Sequence, residues 1–318
     1  MKRLASRGSA LALWQARHVQ ALLREVRPDT HVDIEVVTTT GDRITDVPLA
    51  QIGETGLFTK EVDRAVLDGR ADFAVHSLKD VPTRPPEGLL LAAVPVREDP
   101  RDALIVAPGR PRTLGTLPAG ARIGTSSLRR RALLLDQRPD LDVADLRGNL
   151  DSRLARVHDA QYDAILLAFA GLRRLGWEHE VAELLEPPRW LPATGQGALG
   201  IVCRADDREM QAMLASLDHA PTRAATAAER TLLRTLEGGC QIPIGALATV
   251  TNDELHLHAF VAALSGSASV RGDMRGPVAS AERIGSDLAH DMIERGASRI
   301  LEEVRAAGED GVPRPTAP

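Results

Sequence analysis

Short apolar runs with strand character alternate with amphipathic helical stretches through the first two-thirds of the chain, and few architectures accept that pattern. Residues 3–6 read as a short strand. Ser9 is a suitable cap for a helix from 10 to about 24, with Leu11, Trp14 and Val19 among its apolar positions. Residues 31–38 alternate β-branched and polar side chains, as a strand does. Residues 58–67 place Phe58, Val62, Ala65 and Val66 on one helical face, with Gly69 just past the end. A buried strand at 71–76 follows, and a second series has strands at 121–124, 143–146 and 164–168. Alternation of this kind predicts α/β layers around largely parallel sheets.

Prolines divide the pattern. Val81-Pro82-Thr83-Arg84-Pro85-Pro86, then Pro95, Pro100, Pro108, Pro111 and Pro118, put a boundary near 95–102. Leu191-Pro192-Ala193-Thr194-Gly195-Gln196-Gly197 reads as a return crossing, after which a strand at 199–204 completes the first sheet. A helix at 222–237, strands near 245–251 and 255–263 and a helix near 281–305 make a smaller C-terminal unit. The expected domains are 1–96 with 198–216, 101–193, and 220–306, followed by a polar 307–318 tail expected to be disordered. No internal repeat of fixed period is present.

Composition narrows the class. A chain of 318 residues, 43% of them hydrophobic, builds real cores, and a net charge of −5 argues against a general nucleic-acid surface. Two cysteines make no disulfide framework, which fits a reducing compartment. The first residues lack the apolar run of a signal peptide, and no apolar stretch approaches a membrane span. The expectation is a soluble cytoplasmic protein without a nucleic-acid or membrane partner. Of 39 basic residues only Lys2, Lys60 and Lys79 are lysines, so a lysine that persists points to a place where arginine does not serve.

Several polar motifs fall where a strand hands over to a helix, the edge at which open α/β sheets bind ligands. Arg7-Gly8-Ser9 is one, Gly124-Thr125-Ser126-Ser127-Leu128-Arg129-Arg130 another, and Arg147-Gly148-Asn149-Leu150-Asp151-Ser152-Arg153 a third. Helix N-termini and guanidinium groups both attract anions, so Arg7, Arg129, Arg130, Arg147 and Arg153 predict a polyanion site, for phosphate or for carboxylate. No Gly-x-x-x-x-Gly-Lys-Ser/Thr loop is present, which argues against a P-loop enzyme. Ala74-Val75-His76-Ser77-Leu78-Lys79-Asp80-Val81-Pro82 closes a buried strand with polar residues. Asp80 there suits either general acid chemistry and stabilisation of a developing cation, or a plain turn before Pro82. His76 reads as a satisfied structural group. Cys240, in Leu236-Glu237-Gly238-Gly239-Cys240-Gln241, follows a helix end at two glycines and is a candidate reactive thiol, whereas Cys203 in an apolar strand reads as packing.

Taken in order, Arg7 to Gln15, His76 to Pro82, Gly124 to Arg130, Leu146-Arg147-Gly148-Asn149, Pro192 to Gly197 and Leu236 to Cys240 closely resemble the hydroxymethylbilane synthase (porphobilinogen deaminase) family, over nearly the whole chain. The resemblance implies two α/β domains like those of periplasmic solute-binding proteins with a cleft between them, plus a smaller C-terminal α+β domain. It implies a dipyrromethane cofactor held by Cys240 through a thioether. It implies stepwise head-to-tail condensation of four porphobilinogen molecules onto that cofactor with loss of ammonia, then hydrolytic release of the linear tetrapyrrole hydroxymethylbilane. Asp80 is then catalytic. Ser77, Lys79, Thr125, Ser126, Ser127, Arg129, Arg130 and Arg147 take the cofactor, and Arg7, Ser9, Arg147, Arg153, Arg174 and Gln196 take the substrate. Pyrroles bearing acetate and propionate explain many arginines in a protein of net negative charge. The sequence departs from the family at Thr55, where many relatives carry lysine, and at Thr40, where some carry arginine; the loop at 51–60 is therefore not expected to supply charge. The other readings are a non-catalytic solute-binding or sensing protein for a small polycarboxylate, which leaves Cys240 and Asp80 without a role, and a phosphate-handling transferase. A monomer is expected.

Overall fold

The computed structural model describes residues 1–43, 59–236 and 242–309. Strands β1 (Lys2–Arg7), β2 (Val32–Val37), β3 (Phe73–Ser77) and β4 (Leu89–Ala93) come first. β5 (Asp102–Val106), β6 (Arg122–Gly124), β7 (Asp142–Ala144), β8 (Ala164–Ala168) and β9 (Glu183–Leu185) follow, and then β10 (Leu199–Arg204) returns to the first group. The resulting sheets have the orders β2-β1-β3-β10-β4 and β7-β6-β8-β5-β9. Each holds three parallel strands and two antiparallel joins: β10 runs against β3 and β4, and β5 against β8 and β9. The two halves thus share a topology although their sequences show no period.

Helices cover these sheets for local reasons. In α1 (Ala10–Val26) the Ser9 hydroxyl accepts from the Ala12 amide, and Gln15, Ala16, Val19 and Leu23 form the buried stripe. α2 (Lys60–Leu67) buries Val62, Ala65 and Val66. α3 (Leu128–Gln137) starts at Ser127 and α4 (Leu150–His158) at Asn149. α5 (Phe169–Leu175) stops at Gly176, whose φ of 73° is the left-handed turn that glycine tolerates. α6 (Arg208–Leu214) leads to α7 (Ala220–Thr235). The C-terminal unit packs α7, α8 (Ala281–Met292) and α9 (Ser298–Glu309) against an antiparallel sheet of β11 (Ile244–Thr251), β12 (Glu254–Ala262) and β13 (Ser269–Pro277). The expected class, two α/β units and a smaller α+β one, is what these sheets form.

Three local expectations change. The strand at 143–146 is β7 at 142–144, because the Ser126 hydroxyl both accepts from the Leu146 amide and donates to its carbonyl, taking that residue out of the ladder. β13 was not foreseen; in Ser-Val-Arg-Gly-Asp-Met-Arg-Gly-Pro only Val270 is buried, so an edge strand lacks the alternation that marks strands. The helix expected at 281–305 is broken at Gly296, whose φ is 101°. β4 and β5 lie in the proline-punctuated stretch: Pro86, Pro95, Pro100 and Pro108 flank them rather than interrupt them.

Candidate active site

Between the two five-stranded sheets lies an open cleft. It sits at the carboxyl ends of β3 and β8, where Ser77 and Ala168 close their strands and line it. Lys79 reaches it from the single turn Leu78–Asp80, Arg130 from α3, Arg153 from α4, Arg174 from α5 and Gln196 from the return crossing. Four cations from four elements therefore meet in one space.

The electrostatics follow from that crowding. Burial brings the Lys79 ammonium down to about 8; the Asp80 carboxylate opposes the shift, and Arg130 and Arg129 add to it. Its hydrogen bond to the Gln196 side-chain carbonyl is long at 3.4 Å. Burial brings Arg153 to about 10, with Arg130 and Arg147 pressing the same way and Asp80 against them. Its Nε donates to the Gly148 carbonyl at 2.7 Å. Arg174 is likewise brought to about 10 by burial, partly offset by Glu98, while it donates to the Gly197 carbonyl at 2.6 Å and lies 5.8 Å from the Trp14 ring centre. Asp80 does not line the cleft, but its carboxylate is near enough to act on the charges of both Lys79 and Arg153. Desolvated cations in excess of carboxylates favour an incoming anion, and one carboxylate among them is suited to steadying a developing positive charge.

Arg129 and Arg130 are also tied to an aspartate the sequence reading did not name. Asp102, with no exposed surface, accepts from Arg129 Nη1 at 2.7 Å, Arg130 Nη2 at 2.7 Å, Trp190 Nε1 at 2.8 Å and Gln196 Nε2 at 2.8 Å. Both arginines hold its carboxyl far below the usual carboxylate range, overcoming its burial. Arg129 is absorbed by this cluster and by the Leu191 carbonyl; Arg130 belongs to the cluster and still lines the cleft. The signal was in the sequence: an aspartate that opens the apolar run Ala103-Leu104-Ile105-Val106 needs cationic partners once buried, and Arg129-Arg130 supplies them.

Ser77, Lys79, Arg130, Arg153, Arg174 and Gln196 line the cleft; Asp80, Arg7, Ser9, Thr125, Ser126, Ser127, Arg129 and Arg147 lie outside that lining. Their hydroxyls serve the strand-to-helix junctions. Ser127 accepts from the Arg130 amide, Thr125 from the Ser127 amide, Ser126 is shared with Leu146, and Ser9 caps α1. Arg147 is near enough to Arg153 to press on its charge. His76 is a buried structural group, 2.9 Å from Asp63. Cys203 is fully buried, and burial pushes its thiol up to about 11. Cys240 and the 51–58 loop with Thr55 lie outside the described residues.

Two further residues were missed. On α7, Arg230 donates to the Val81 and Pro82 carbonyls at 2.9 and 2.7 Å, clasping the turn that follows Asp80. Its neighbour Glu229, with no exposed surface, accepts from Arg97 at 2.6 Å, the Gly195 amide at 2.7 Å and the Ala248 amide at 2.9 Å. A charged pair in a helix rich in alanine and threonine was the available signal.

The family model described as Porphobilinogen deaminase, dipyromethane cofactor binding domain, matches residues 3–212, and the model for the Porphobilinogen deaminase C-terminal domain matches residues 223–294. A porphobilinogen deaminase of Nitratidesulfovibrio vulgaris (strain DP4) is 50% identical over 307 residues, which is 96% of this chain and 97% of the relative. One from Syntrophobacter fumaroxidans is 47% identical over 96% of this chain and 98% of its own length. Among solved structures, a BvgS VFT2 domain of Bordetella pertussis aligns with 68% of this chain and 85% of its own, at 15% identity and a TM-score of 0.41. With both family models matched and relatives about half identical from end to end, the chain belongs to the porphobilinogen deaminase family.

Proposed function

We propose that this protein is a hydroxymethylbilane synthase: it condenses four porphobilinogen molecules head to tail, releases one ammonia for each, and frees the linear tetrapyrrole by hydrolysis. The observation that carries the reading is the convergence of Lys79, Arg130, Arg153 and Arg174 on one cleft beside Asp80. Porphobilinogen carries two carboxylates, so each unit added brings anions to cations that burial has left short of counter-charge. A phosphate-handling reading leaves Asp80 unexplained, and a binding protein has no use for it.

The same donor set fits a dipyrromethane, whose carboxylates Lys79, Ser77, Arg130 and Arg147 would hold, with Cys240 as its covalent anchor. When bound, that group supplies the nucleophilic pyrrole carbon on which the chain starts. The protein's own residues do the rest. Asp80 steadies positive charge on the pyrrole as the aminomethyl carbon–nitrogen bond breaks, and it takes up the proton shed when the new carbon–carbon bond forms. Arg153, Arg174 and Gln196 orient the incoming unit through its carboxylates. Arg7, Ser9, Thr125, Ser126, Ser127 and Arg129 shape the strand ends that present these groups. The units 1–96 with 198–216, 101–193 and 220–306 act as the cleft's two walls and the carrier of Cys240, and the protein works as a cytoplasmic monomer.

Intact mass of the denatured protein from a tetrapyrrole-making host tests this. A covalent adduct of dipyrrole size is expected and is lost in Cys240→Ser; an unmodified wild-type chain sinks the assignment. Asp80→Ala is expected to retain the adduct while bilane formation falls by at least about a hundredfold, the scale of lost acid–base catalysis. Bilane release near the wild-type rate removes Asp80 from the mechanism.

A further inference from the structure

Away from the cleft lining, β12 and β13 bring together three side chains with ligand chemistry. His256 and His258 are alternate residues of β12, so the pleat sends both to one face. Leu255 and Leu257, on the other face, are buried against the helices of the C-terminal unit. Asp273 stands directly opposite His258 in the β12–β13 register but leans diagonally, and its Oδ2 lies 2.9 Å from His256 Nε2. The two imidazole centres are 3.9 Å apart. One donor atom from each of the three side chains lies within 4.8 Å of the other two. A metal with bonds near 2 Å holds adjacent ligand atoms about 3.3 Å apart in tetrahedral geometry, so side-chain rotation alone closes the set.

We propose that His256, His258 and Asp273 form a site for a late first-row divalent cation such as Zn²⁺ or Ni²⁺. Two imidazole nitrogens and one carboxylate oxygen select these ions over Mg²⁺ and Ca²⁺, which take all-oxygen sets. One neighbouring cation, Arg275, acts on both His258 and Asp273. Arg275, opposite His256, is 3.9 Å from Glu254, and β11 contributes the neutral Leu247 and Thr249 across from His258 and His256. Asp273 is well exposed, with 57% of its side chain accessible, so the remaining coordination positions go to water and the ion exchanges. The gain to the protein is local. β13 is an edge strand with one buried side chain, and an ion bridging it to β12 is held by three ligands in the folded sheet and by fewer in the unfolded chain.

The test uses the cofactor-loaded protein, freed of metal by chelator and dialysis, titrated with Zn²⁺ or Ni²⁺ by calorimetry. Thermal unfolding is then measured with and without the ion. One equivalent is expected to bind and raise the unfolding temperature. Binding at least tenfold weaker is expected in His258→Ala and in Asp273→Asn, with bilane formation unchanged and no response to Mg²⁺. Each variant is compared with itself plus and minus metal, so a loss of intrinsic stability does not mimic loss of the site, and Asp273→Asn keeps the side-chain shape. Wild-type affinity in both variants, or an equal response to Mg²⁺, overturns the proposal.

Discussion

Asp102 organises this site although it does not line it. Its carboxylate is the common acceptor for Arg129, Arg130, Trp190 and Gln196, and through Gln196 it reaches Lys79. Removing a buried partner leaves charge uncompensated, so Asp102→Ala is expected to cost about 3–5 kcal/mol in denaturant unfolding, well beyond a surface aspartate. Lys79 gives a second prediction. Its folded amine titrates near 8 against an ordinary 10.5, so between those values the unfolded chain holds the extra proton and this group's contribution to stability rises with pH. On the proposed assignment of Lys79 to the cofactor, anion holding runs the other way, because the charge that attracts carboxylates is lost above about 8. Loading of the unmodified chain with its dipyrrole should slow through that pH, and Lys79→Arg should flatten the decline; an unchanged profile in that variant removes Lys79 from anion binding.

At the scale of elements, α7 joins parts that are distant in sequence. Glu229 ties it to Arg97, to the return crossing and to β11, while Arg230 holds the turn after Asp80. The same helix ends at Thr235, a few residues before Cys240. On the proposed mechanism Arg230 is a positioning residue for the turn that carries Asp80. Arg230→Ala should keep the covalent adduct and leave KM close to wild type while kcat falls roughly ten- to a hundredfold, the cost of about an ångström of misplacement. Loss of affinity with kcat intact points instead to direct contact with substrate.

In the whole molecule, the two crossings between the five-stranded sheets are bonded to each other. The Glu98 amide donates to the Gly197 carbonyl at 3.1 Å, and Arg97 Nε to the Gln196 carbonyl at 2.8 Å. Gly197 has a φ of 87°, and a Cβ there would stand 2.3 Å from the Glu98 carbonyl oxygen. Gly197→Ala should lower stability by at least about 1–3 kcal/mol from backbone strain alone, read by thermal unfolding, and should depress activity through the displaced Gln196.

The alternation of strands and helices, the caps at Ser9 and Ser127 and the polar close of β3 at Ser77 to Asp80 were legible because each depends on neighbours a few residues away. So was the family, whose motifs run nearly the length of the chain. β13 was not legible, since an exposed edge needs no apolar pattern, and neither was the break at Gly296, which is one glycine in an otherwise helical stretch. The arginines divide in the same way. Sequence alone determined that several stand at strand ends, but not which remain available to an anion. Arg129 is tied to Asp102 and Arg153 lines the cleft because burial and counter-charge come from segments that only the folded chain brings together.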